Sequence, residues 1–186
     1  MVVVLAGALF VADRIAVNRT ESTITSRIEK RVPGSHAKVT ISSSPFLVNL
    51  AMSGTIKEMH AHVTNVTAGR LTLDSVDVTV HDLKVSRSDL LHGSVKLTGM
   101  SEATIQATTS VADVIAATLG AAVGLPSGSS ASVEAGPSSV HISFGPFSFT
   151  VPYTSIVPCV GTARISGTDV VLTCTTHTLP PALKSA

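Results

Sequence analysis

Few residues in this chain are placed for chemistry, and the cysteines are the clearest of them. Cys159 and Cys174 stand nearly symmetrically about the turn sequence Ser166-Gly167-Thr168. A hairpin through that turn sets the two opposite each other, and cross-strand neighbours at a non-hydrogen-bonded pair are close enough for a disulfide. One bridge is expected, and with it an oxidising compartment. Two buried free thiols are the alternative. A zinc site would need further ligands, and only His177 is near in sequence. His60 and His62 share one face of an alternating segment, where a hairpin partner could bring Ser75 or Asp77 close. Metal ligation is one reading there, and two solvated strand histidines is the ordinary one. Ser35-His36-Ala37-Lys38 matches Ser-x-x-Lys in letters, but it lies where a turn enters a strand, not on a helix. Gly124-Leu125-Pro126-Ser127-Gly128 has the wrong spacing for a nucleophile elbow and no strand before it. Phosphate loop, dinucleotide fingerprint and tight carboxylate pair are all missing. The expectation is a non-enzyme with no cofactor and no metal site.

The elements that would hold any site are mostly strands. The organising stretch runs from Thr55 to Leu97. Met59, Ala61 and Val63 alternate with Glu58, His60 and His62; Val76, Val78 and Val80 alternate with Asp77, Thr79 and His81. Such alternation marks strands with one dry and one wet face. The dry set changes parity from Leu71 and Leu73 to Val76, and again from Val80 to Leu83 and Val85. Bulges produce such changes and bend a sheet. Ala103 to Ala107 continues the sheet, and Val140 to Tyr153 and the cysteine hairpin form more of it. Helical spacing appears twice. Ile24, Ile28 and Val32 recur every four residues among Arg27, Glu29, Lys30 and Arg31, a helix that either starts at a cap from Asn18 and Glu21 or continues from the apolar run before it, and that Pro33-Gly34 would stop. Val111, Val114, Ile115, Thr118 and Leu119 share a second helical face. Ser44 as N-cap, Pro45 and Gly54 bracket a short helical stretch through Met52.

Charged residues make up 13% of the chain and the net charge is +1, so there is no broad electrostatic case for nucleic acid. The mean hydropathy of +0.43 is high. With five Phe, one Tyr and no Trp, the apolar content is small and aliphatic, able to line a smooth cavity or to fill a plain core. Val2 to Ala12 is apolar but shorter than the roughly 20 residues of a membrane span. It reads as the remnant of an anchor, a signal segment, or the buried start of a helix, the first being favoured. At 186 residues, residues 1–17 are taken as this apolar segment and 18–186 as a single domain.

The order of these features resembles a known family. An apolar N-terminus ending in Asp13-Arg14 precedes an amphipathic helix and Ser44-Pro45-Phe46-Leu47. Then come Gly69-Arg70-Leu71-Thr72-Leu73-Asp74-Ser75-Val76-Asp77-Val78, a helix near Val111-Ala112, a Val-Gly hairpin and Leu179-Pro180-Pro181. This is similar to the LmeA family of actinobacterial cell-envelope phospholipid-binding proteins. The resemblance implies an α+β fold of the tubular lipid-binding (TULIP/BPI-like) kind, a long bent antiparallel sheet wrapped round an amphipathic helix and holding acyl chains. It also implies a periplasmic, membrane-anchored protein at the outer face of the inner membrane, tied to phosphatidylinositol-type lipids and lipomannan biogenesis. The acyl chains are expected against Phe46, Leu47, Leu50, Met52, Met59, Val63, Val78, Val80 and Ile115, all of which a plain core would also use. A structural or interaction module of the envelope is the alternative, and a lipid or ester hydrolase a weaker one.

Overall fold

The computed structural model describes residues 2–68, 71–86, 97–119, 131–135, 139–144, 147–152, 159 and 161–178. Helix α1 runs unbroken over Val2–Arg31. The uncharged run and the amphipathic stretch are thus one helix, and Asn18 and Glu21 sit inside it instead of capping it. Thr20 and Thr23 are accommodated mid-helix because their hydroxyls donate to Ala16 O and Arg19 O at 2.8 Å. Pro33, which has no N–H to continue the ladder, ends the helix.

Glu21 has a different task. The first strand, β1 (His36–Ile41), is an edge strand, so every second amide points away from the sheet. The amide of Ile41 donates to Glu21 Oε1 (2.7 Å) and that of Ala37 to Glu29 Oε1 (3.1 Å). Helix α1 lies along this edge, and its carboxylates occupy the places a neighbouring strand would fill.

Helix α2 (Phe46–Ser53) follows, then the long hairpin of β2 (Thr55–Ala68) and β3 (Leu71–Val85). Short β4 (Leu97–Gly99) pairs with the end of β3, β5 (Glu102–Ser110) leads into helix α3 (Val111–Leu119), and β6 (Ala131–Ala135), β7 (Ser139–Phe144) and β8 (Phe147–Pro152) form a separate three-stranded sheet. The last hairpin, β9 (Gly161–Ser166) and β10 (Asp169–Thr176), returns to the large sheet. That sheet is open and antiparallel, in the order β1-β2-β3-β5-β10-β9 with β4 beside β3. The fold is therefore α+β, as expected from the sequence.

The parity changes fall where the sequence sets them, but by another device. Buried positions on β3 pass from Leu73 to Val76 and from Val80 to Leu83; on β2 they pass from Ile56 to Met59 and from Val63 to Val66. A one-sided bulge would shift the register, yet β2 and β3 keep one register from Thr55↔Lys84 to Ala68↔Leu71. The ladder instead passes over one residue on each strand at the same two levels. One of each pair has positive φ: Asn65 (56°) opposite Asp74, and Asp82 (46°) opposite Lys57. Asn and Asp tolerate this left-handed conformation better than other non-glycine residues. Both strands roll over together, and the dry face is kept.

On that face one row crosses six strands: Val39, Ala61, Val78, Ile105, Cys174 and Gly161. Two buried clusters flank it. One gathers Val17, Ile41, Phe46, Met59 and Val80, with Ile24 and Leu50 packed against it; the other gathers Val63, Val66, Leu73, Val76 and Ala107. Val78 touches both clusters, and although it lies on a central strand it is only half-buried, between buried Val76 and Val80.

Candidate functional site

The short helix α2 exposes three large apolar residues, Leu47, Val48 and Met52. Eight residues cannot hold a helix in water unaided, so its supports matter. Gly54 ends it in the left-handed conformation (φ 64°), with its amide donating to Leu50 O at 2.9 Å. Ser44 is not the N-cap; Pro45 takes that place after a cis Ser44–Pro45 bond, without a side-chain cap. The cap comes from α1 instead. The Leu47 amide donates to Asp13 Oδ1 at 2.6 Å, and Asp13 is buried. A carboxylate at a helix N-terminus takes an otherwise orphan N–H and complements the helix dipole. Phe46 then pins α2 into the first cluster.

The nine residues expected to meet acyl chains are distributed as follows. Phe46, Met59 and Val80 are buried in the first cluster, with Leu50 and Val78 packed against it. Val63 belongs to the second cluster, which Val78 also touches. Leu47 and Met52 point outward and are exposed. The side chain of Ile115 lies outside the described residues. Sequence reasoning missed Val11, Ile15 and Val48, which are exposed as well. It also missed Asp13, whose only signal was a carboxylate at the end of an uncharged run.

The wet face holds the histidines. His62 Nδ1 lies 2.5 Å from Asp77 Oδ1, and since a carboxylate only accepts, that nitrogen carries the proton. His60 Nε2 meets Glu58 Oε1 at 2.8 Å and its Nδ1 meets Thr79 Oγ1 at 3.0 Å. Ser75 does not reach them; it pairs with Thr64. Lys38 and Thr40 face the same shallow depression. These side chains are about half exposed, where an ion pair contributes ~0–1 kcal/mol. Among the described residues no group of three or more His, Cys, Asp or Glu could hold a metal ion. The Ser-x-x-Lys match dissolves: Ser35 Oγ donates to Val32 O (2.8 Å) at the end of α1, and Lys38 is an exposed residue of β1.

Cys159 and Cys174 are bonded, with Cα atoms 5.8 Å apart. They are not in-register partners. The strands pair from Asp169↔Ser166 outward, so Gly161 faces Cys174 and Cys159 lies two residues beyond the strand. Gly161 makes the bridge feasible by having no side chain. A Cβ there would stand 2.4 Å from Thr173 O and 2.8 Å from Cys174 Cβ.

An apolar helix latched beside an aliphatic sheet face suits a lipid, and comparison with known families agrees. The family described as LmeA-like phospholipid-binding matches residues 11–183. The chain belongs to that family. The LmeA-like match begins beside Asp13 and runs past β10, so it takes in α2, both sheets and the disulfide. No curated protein and no solved structure matches the chain. No helix among the described residues is long and apolar enough to cross a membrane.

Proposed function

We propose that this protein binds one phospholipid by its acyl chains along the dry face of the large sheet, and carries or presents it without chemical change. Membership of a phospholipid-binding family supports the lipid. The observation that carries the location is Val78, half-buried at the junction of two clusters where both strand neighbours are buried. A dozen methylenes laid in such a trough contribute roughly 0.8 kcal/mol each, enough for tight binding without a polar contact. Phe46, Leu50, Met59, Val63 and Val80 would form its walls, with the sheet curling over the chains in the tubular lipid-binding manner. The disulfide supports an extracytoplasmic site, at the outer face of the inner membrane, with α1 as the tether. A phosphatidylinositol-type lipid bound for envelope glycolipid or lipomannan synthesis is the first candidate.

The test is mass spectrometry of an organic extract from protein purified without detergent. Stoichiometric phospholipid is expected, and its head group names the pathway. A lipid-free extract from folded, monodisperse protein that also takes up no phospholipid added in detergent would overturn the proposal and favour a packed envelope module.

A further inference from the structure

Five large apolar side chains stay exposed among the described residues: Val11 (56%), Ile15 (50%), Leu47 (36%), Val48 (45%) and Met52 (74%). All belong to two helices that are joined at the bond from the Leu47 amide to Asp13. That bond sets Val11 and Ile15, two residues either side of Asp13, at the level of Leu47, and the two helices carry little charge there. Helix α2 has no ionisable residue, and α1 has none from Val2 to Ala12. The first carboxylate, Asp13, is buried and spent on capping α2. Exposed Arg14 and Arg19 come next along α1, at the level where phosphates would lie if the uncharged end were in lipid.

We propose that α2 is a membrane-docking helix, and that it forms the mouth through which a phospholipid passes between a bilayer and the sheet. This rests on the phospholipid-binding reading above. The occupant is a bilayer surface and not a protein, because along α1 the sequence passes from an uncharged stretch to Arg14 and Arg19, the order of a bilayer's hydrocarbon and head groups. A short apolar helix beside cationic residues is the usual form of an interfacial insertion. The two sides of α2 fit the two tasks. Leu47, Val48 and Met52 face outward, while Phe46 and Leu50 pack on the cluster that holds Met59 and Val80. A lipid leaving the bilayer under α2 meets the trough without crossing water.

The chain has no Trp, so Met52→Trp reports on one position alone, with Thr40→Trp on the wet face as the control. Full-length protein is mixed with phosphatidylcholine–phosphatidylglycerol vesicles, with and without bromine-labelled acyl chains. Trp at 52 is expected to shift to the blue and to be quenched by the bromolipid; Trp at 40 is not. A double variant, Val48→Glu with Met52→Glu, should extract lipid from vesicles at least roughly tenfold more slowly. It should still bind phospholipid dispersed in detergent as wild type does. Equal extraction by both proteins, or a Trp at 52 blind to vesicles, overturns the docking role. Wild type that binds no lipid even from detergent overturns the underlying function instead.

Discussion

Replacing Asp13 with alanine should release α2 while leaving the sheet folded. The carboxylate accepts the Leu47 amide at 2.6 Å in a buried setting, and a hydrogen bond to a charged group contributes ~1.5–3 kcal/mol. An eight-residue helix has little stability of its own, so nearly all of that loss should appear as easier local opening. Converted to an equilibrium, amide exchange in the second half of α2 and at Gly54 should speed up by about ten- to a hundredfold. Exchange at Val76 to Val80, in the centre of the sheet, should stay close to wild type. Asp13→Asn keeps an acceptor and loses mainly the charge–dipole contribution of ~0.3–1 kcal/mol, so its effect should be several-fold. Hydrogen–deuterium exchange read by mass spectrometry at peptide resolution suffices. Equal loss of protection in α2 and β3, or no change in α2, would refute the idea that this bond holds α2 as a separate unit.

Further outcomes follow from the same structure. Reducing the disulfide, or Cys159→Ser with Cys174→Ser, opens a loop of 15 residues and should cost about 3 kcal/mol in urea unfolding; Gly161→Ala should destabilise even the oxidised protein, because its Cβ meets backbone. Asn65→Val should lose roughly 1–2 kcal/mol at its positive φ while Asn65→Gly loses little, a contrast absent if the rollover is dispensable. Val78→Phe separates a trough from a filled core: with a trough, bound lipid falls several-fold and the melting temperature holds, whereas a filled core would lose ~1–3 kcal/mol to overpacking.

The strand pattern was legible because burial on an antiparallel sheet leaves a period of two. Even the rollovers on β3 showed, as Leu73 to Val76 and Val80 to Leu83. Their mechanism did not, since alternation records which face a side chain takes and not the φ that put it there; the matching change from Val63 to Val66 on β2 is what excludes a one-sided bulge. The cysteine bond was legible from count and proximity, but the register was not. Two-residue turns at Gly167-Thr168 and at Ser166-Gly167 suit the same letters; the second would set Cys159 opposite Cys174, and only strand pairing chooses between them. The supports of α2 were hidden for a different reason. A cap 34 residues away leaves no local signature, and Ser44-Pro45 offered a local cap that the fold does not use. Leu47 and Met52 share one short apolar segment with Phe46 and Leu50, and periodicity over two turns is too short to show that they face outward while Phe46 and Leu50 face in.

The pairing of Glu21 and Glu29 with β1 has a consequence for self-association. Outward amides on a free edge strand form a template on which a second chain can extend the sheet, and repetition of that step yields fibres. Here the template is occupied by carboxylates on a helix of the same chain, which accept the bonds and offer none onward. Loss of α1, whether by proteolysis or by an over-generous truncation, should therefore turn the protein into a seed for aggregation. A shortened protein that stays soluble should keep the helix from before Glu21 onward.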